Sequence, residues 1–205
     1  MKKEIRAFDF EIRAEESEEH GAFITGQPIV YNEPTDMGWY EETIMDGALT
    51  DTDLRDVRFL VNHNTDMIPL ARSRNNNANS TMQMEVVPGV GMNIRVDLDV
   101  DNNAEAKSLY SAVKRGDISG MSFMFRVGED RWEDLDTDHP KRKIEKFTKV
   151  FEVSAVTFPA YEATSIQARG LSDALDSAKE SLESARAEMR AIESKKQRIK
   201  ILTEV

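Results

Sequence analysis

The sequence predicts a mainly β protein with peripheral helices. Its centre is expected to be a closed or nearly closed antiparallel β-barrel of about seven strands, followed by one long C-terminal helix. Three observations carry this expectation. Apolar residues recur at every second position in several short segments, most cleanly in Met92, Ile94, Val96, Leu98 and Val100. Before Arg169 one segment, residues 104–115, carries well-marked helix signals. Beyond Gly170 the apolar spacing changes from two to alternating fours and threes. A chain of 205 residues is long enough for one domain with a real core plus an appendage. We place the boundary so that 1–168 form the barrel and 169–205 the helix.

In chain order, Phe8, Phe10 and Ile12 alternate like a strand, and the acidic run Glu15 to Glu19 should be the exposed turn after it. Residues 22–31 are β-rich, with Gly26 and Pro28 marking a bulge or an edge. Residues 35–55 read as a loop containing Trp39 and Tyr40, then a short helix from Asp46 to Leu54. Val57 to Asn62 is a strand that delivers His63, and Asn64 to Pro69 turns the chain. The asparagine-rich run 74–80 is a surface turn, because such side chains bond their own backbone. Met82 to Val87 and residues 92–100 form two strands around the Pro88-Gly89-Val90-Gly91 turn. Asp101, Asn102 and Asn103 are N-cap candidates for the helix 104–115, whose apolar face is Ala106, Leu109, Tyr110 and Val113 and whose stop is Gly116. Residues 118–127 form a strand, Glu129 to Asp138 an acidic loop, and Ile144 to Phe158 a last β segment closed by Pro159. In the tail, Leu171, Leu175, Ala178, Leu182, Ala185, Met189, Ile192, Lys196 and Ile199 trace a heptad seam. Two alanines and a lysine weaken it, so either conditional pairing with another helix or packing on its own domain satisfies the pattern.

Composition narrows the function. A net charge of -11 argues against a protein that grips phosphate backbones, so nucleic acid is not expected as a partner. The absence of cysteine removes thiol nucleophiles, disulfides and thiolate metal sites. No apolar run resembles a signal peptide or approaches the ~18 residues of a membrane span. A soluble cytoplasmic protein without membrane partners is the expectation.

Of the three histidines, His20 and His139 lie in polar turns, whereas His63 follows an apolar strand directly. With a single histidine so placed, a multi-histidine metal site is disfavoured, and neither metal nor cofactor is called for. Strand parity then sorts the serines. If Met121, Phe123, Phe125 and Val127 face the core, Gly120, Ser122, Met124 and Arg126 face the other way. Ser122 is thus held on a rigid element away from the apolar side, and Gly120 leaves clearance for a substrate backbone. Ser119 sits in the turn or with the core face. A serine merely tolerated on a half-exposed strand fits the same pattern. Glu152, within a β-branched and aromatic run, is costly to bury without a partner. His63 would serve, and so would an edge position beside Lys149.

Three segments together carry a resemblance: Leu60-Val61-Asn62-His63; Gly116-Asp117-Ile118-Ser119-Gly120-Met121-Ser122-Phe123; and Phe151 to Ala160. In this order and spacing the chain, over about residues 8–165, resembles the prohead maturation proteases of tailed bacteriophages, a family similar to the herpesvirus capsid protease, assemblin. The resemblance implies a serine endopeptidase that trims the scaffolding region of the major capsid protein inside the immature capsid and finally digests itself. It implies His63 as general base, Ser122 as nucleophile and Glu152 as third member, where the herpesvirus enzymes place a second histidine. Oxyanion donors are expected at the amides of Ala160 and Tyr161, since Pro159 has no N–H. A homodimer is expected by analogy with assemblin and from the heptads. The alternative is a non-enzymatic scaffold or assembly protein that binds helices through its tail.

Overall fold

The computed structural model describes residues 3–8, 12–157 and 168–203, with side chains at 3–6, 12–157 and 175–199. Among the described residues, eleven strands and two helices follow one another: β1 (Glu4–Phe8), β2 (Ile12–Ser17), β3 (Gly21–Val30), β4 (Thr35–Asp36), β5 (Glu41–Ile44), β6 (Asp56–Val61), β7 (Ala71–Arg74), β8 (Met82–Val87), β9 (Gly91–Asp97), α1 (Ala104–Arg115), β10 (Gly120–Glu133), β11 (Lys141–Val156) and α2 (Ala168–Thr203). The mainly β class with a C-terminal helix is as expected, but the barrel is not. The strands form two open sheets, one ordered β1-β10-β11-β5-β4 with β6 and β7 branching from β11, the other ordered β2-β3-β9-β8.

The cause of the branching is the length of β11. Its N-terminal end runs parallel to β5, from Lys141 opposite Glu41 to Ile144 opposite Ile44. Its C-terminal end runs parallel to β6, from Glu152 opposite Arg58 to Ala155 opposite Val61. A strand that takes different partners at its two ends splits the sheet, and closure would need each strand to keep two neighbours. The β11 pairings with β5 and β6 also make the larger sheet mixed rather than antiparallel.

The larger apolar core lies between the sheets. It joins Ile24, Met82, Met92, Ile94 and Val96 of the smaller sheet to Phe59, Met121, Phe123, Phe125, Phe147, Val150 and Val153 of the larger, with Ala106, Leu109 and Val113 of α1 packed in. The helix forms where its caps put it. Asn103 accepts from the amides of Glu105 and Ala106, and Gly116 ends the helix at φ 78°. The bulge expected near Gly26 is present as a register shift between Gly26 and Ile29. It brings the Ile29 carbonyl against Gly91, where an added Cβ would lie 2.0 Å from that oxygen.

Two further expectations are corrected. Residues 46–54 are not a helix: Gly47 and Asp51 take positive φ (85° and 61°), and short turns bond Ala48 to Met45 and Thr50 to Gly47. The acidic stretch from Glu129 is not all loop, because β10 continues to Glu133 and pairs with the lysine- and arginine-rich start of β11. Opposite charges across that ladder, such as Lys143 with Glu133 at 2.7 Å, explain why an acidic run is held as strand. The strand expected over 8–12 is replaced by the end of β1 and the start of β2, with 9–11 outside the described residues. Short strands β4, β5 and β7 lie in stretches with no visible period.

Candidate active site

His63 leaves β6 through two left-handed residues, Asn62 at φ 51° and itself at φ 57°. Asparagine tolerates this region better than other residues, and its side chain holds the bend. The Asn62 carboxamide oxygen accepts from the Thr157 amide at 3.0 Å, and its nitrogen donates to Thr157 Oγ1 at 2.9 Å. The Asn62 amide donates to the Ala155 carbonyl. The turn is therefore fastened to the end of β11, and the imidazole is directed back along that strand.

There it meets Glu152. His63 Nδ1 lies 2.5 Å from Glu152 Oε1, with the histidine side chain 12% and the glutamate 4% exposed. A carboxylate only accepts, so in the neutral ring the proton sits on Nδ1 and Nε2 carries the lone pair. Nε2 is buried and has no hydrogen-bond partner among the described residues. The second carboxylate oxygen accepts from Ser154 Oγ at 2.6 Å, and Ser154 Oγ accepts in turn from the His63 amide at 3.1 Å.

Ser122 lies directly across the β10–β11 ladder from Ser154, and Met124 across from Glu152. Opposed residues of an antiparallel pair project to the same face, with Cα atoms ~4.5–5.5 Å apart. Ser122, Ser154, Glu152 and the imidazole bound to Glu152 thus share one face of the sheet. Met121, Phe123 and Phe125 lie in the core on the other, as parity predicts. Ser122 is fully buried rather than half-exposed, and its Oγ donates to the Arg6 carbonyl of β1 at 2.7 Å. The structure therefore joins His63 to Glu152 and sets Ser122 one strand away, without a bond between Ser122 and His63. Gly120 is buried at the start of β10, opposite Val156, and Ser119 is exposed just before it. Ala160 and Tyr161 lie outside the described residues.

Asn62, Ser154 and Thr157 were all present in the quoted motifs yet had no assigned role. A hydroxyl two residues after a carboxylate in a strand shares its face, and that spacing was the available signal for Ser154. Among the described residues, no group of three or more histidine or acidic side chains is arranged to hold a metal ion.

A histidine oriented by a carboxylate, with its other nitrogen unpaired on a serine's side of the sheet, is the equipment of serine hydrolases. The chain belongs to the caudovirus prohead serine protease family, whose model matches residues 8–177. No curated protein and no solved structure matches the chain.

Proposed function

We propose that the chain is a serine endopeptidase of capsid maturation in which Ser122 is the nucleophile, His63 the general base and Glu152 the carboxylate that orients and charge-balances the imidazole. The observation that supports this most is the His63–Glu152 pair, with Nε2 left without a partner on the Ser122 face, in a member of the prohead protease family. Ser122 Oγ turns from the Arg6 carbonyl toward Nε2 by rotation about χ1. It attacks the scissile carbonyl as Nε2 takes its proton, and the imidazolium returns that proton to the leaving amine. Water then hydrolyses the acyl-enzyme by the same base. The amides of Ala160 and Tyr161 stabilise the oxyanion, and Gly120 gives the substrate backbone room beside Ser122.

The substrate is the scaffolding region of the major capsid protein, inside the immature capsid in the host cytoplasm, and the enzyme also cleaves itself. Residues 1–168 carry the chemistry, and 169–205 are a targeting or removable tail through which two copies associate. A scaffold without catalysis draws support from the exposed Ile192 and Ile199 at the far end of α2.

Co-expression with the matching major capsid protein separates the two readings. Wild type shortens the capsid protein on a gel, and Ser122→Ala lowers the rate by about 10⁴-fold or more. Equal shortening by both overturns the role of Ser122; no shortening by the wild type favours the scaffold.

A further inference from the structure

We infer that Ser154 is a positioning residue of this site: it fixes the Glu152 carboxylate and the His63 backbone at once, and so aims the imidazole. The inference rests on the reading of His63 and Glu152 as base and orienting carboxylate. The Ser154 hydroxyl has one proton and is fully buried. It donates that proton to Glu152 Oε2 at 2.6 Å and accepts from the His63 amide at 3.1 Å. With Glu152 Oε1 on His63 Nδ1 at 2.5 Å, the contacts close a ring through three side chains and one backbone amide.

Each part of the ring limits a motion that would misplace Nε2. The terminal torsion of a glutamate is broad, so a carboxylate held at one oxygen can swing. Ser154 holds the second oxygen. The His63 backbone, at φ 57°, stands in a region that a non-glycine residue leaves readily unless it is tied, and its amide is tied to the same hydroxyl. Burial keeps water from replacing either bond. Ser154 also faces Ser122 across the ladder, so the group that sets the base stands beside the nucleophile's own strand position.

The test compares wild type, Ser154→Ala, Ser154→Thr and Ser122→Ala, using initial rates of cleavage of the purified major capsid protein at several concentrations. Thermal melts of each variant are run alongside. Ser154→Ala is expected to lower kcat about 10- to 100-fold, the usual cost of losing a hydrogen bond that orients a functional group, with KM within about twofold. Ser154→Thr, which keeps the hydroxyl, is expected to recover most of that loss. A second readout does not depend on turnover. In the Ser122→Ala background, the downfield proton resonance of His63 Nδ1–H is expected to be sharp, and to broaden or vanish when Ser154→Ala is added. An unchanged kcat or an unchanged resonance in the Ser154→Ala proteins overturns the inference, as does a folded Ser154→Thr as slow as the alanine variant. If Ser122→Ala cleaves like the wild type, the reading of the site falls; if it is inactive while Ser154→Ala is normal, the role of Ser154 alone falls.

Discussion

Asn62 and His63 stand in a backbone region that costs non-glycine residues of order 1–2 kcal/mol each, and hydrogen bonds to Ala155, Thr157 and Ser154 hold them there. The direction of these bonds bears on Glu152. Because Ser154 gives its proton to Oε2, a glutamine in place of Glu152 would turn its oxygen to Ser154 and its NH₂ to Nδ1. The imidazole would then hold its proton on Nε2 and have no lone pair for Ser122. We expect Glu152→Gln to lower kcat by about 10²- to 10⁴-fold with little change in KM, measured with the capsid protein as substrate. A variant with at least half the wild-type rate would remove Glu152 from the mechanism. His63 and Glu152 were legible as scarce or costly residues within motifs. Ser154 was not, since a small hydroxyl in a strand is unremarkable until its partners are known.

At the scale of elements, α2 resolves its ambiguous seam in two halves. Ala178 and Leu182 are buried with Tyr40 and Trp132, flanked by Trp39, Leu175 and Ala185. Trp39 stacks on Trp132 with ring centroids 6.0 Å apart. Trp132 Nε1 donates to Ser181 Oγ at 2.9 Å. Farther on, Ile192 and Ile199 are 53% and 62% exposed. The first half therefore packs on its own domain, whereas the second carries Ile192 and Ile199 largely exposed. Leu182→Ala is expected to lower stability by about 2 kcal/mol, the low end for a buried leucine because the site borders solvent. Urea unfolding measures it, and a change under about 0.5 kcal/mol would mean that the docking is incidental. The helix 104–115 and the strands around the 88–91 turn were legible because caps, turn residues and period agree there. Residues 46–54 misled because their composition permits a helix while Gly47 and Asp51 take turn geometry.

At the scale of the molecule, a buried charge network ties together β1, β5, the β10–β11 hairpin and α2. Arg6 binds Glu42 at 2.5 Å and Glu4 at 2.7 Å, while Arg142 binds Glu4 at 2.8 Å, Glu42 at 3.1 Å and Asp130 at 2.7 Å. Ser177 and Ser181 of α2 add hydrogen bonds to Glu4 and Asp130. The same Arg6 offers its carbonyl to Ser122, so the network also fixes the strand on which the proposed nucleophile rests. Arg142→Met leaves three carboxylates with one arginine and is expected to cost about 3–5 kcal/mol in urea unfolding. Burial alone would raise the Glu4 carboxyl, but the Arg6 charge, the bonds and charge of Arg142 and the Ser177 hydroxyl outweigh it and hold Glu4 below its ordinary value. A carboxyl whose folded value is depressed stabilises the fold above the unfolded value of ~4.3 and loses that contribution as pH falls through the folded value. Stability should therefore decline below about pH 4, and Glu4→Gln should flatten that part of the profile. A profile equally steep in the variant would assign the acid sensitivity to other carboxyls.

The sequence by itself determined the β-rich class, the helix 104–115, the C-terminal helix and, through three ordered motifs, the family. These properties depend on neighbours within a few residues, where period, caps and turn chemistry act. Only the tertiary structure decided that the sheets stay open, that Ser122 rests on Arg6, and that Ser154 joins Glu152 to His63. The physical reason is separation along the chain: Arg6 meets Ser122, and His63 meets Glu152 and Ser154, only after β10, β11, β1 and β6 pair side by side. Such pairings are set by the register of whole strands, which no local pattern records.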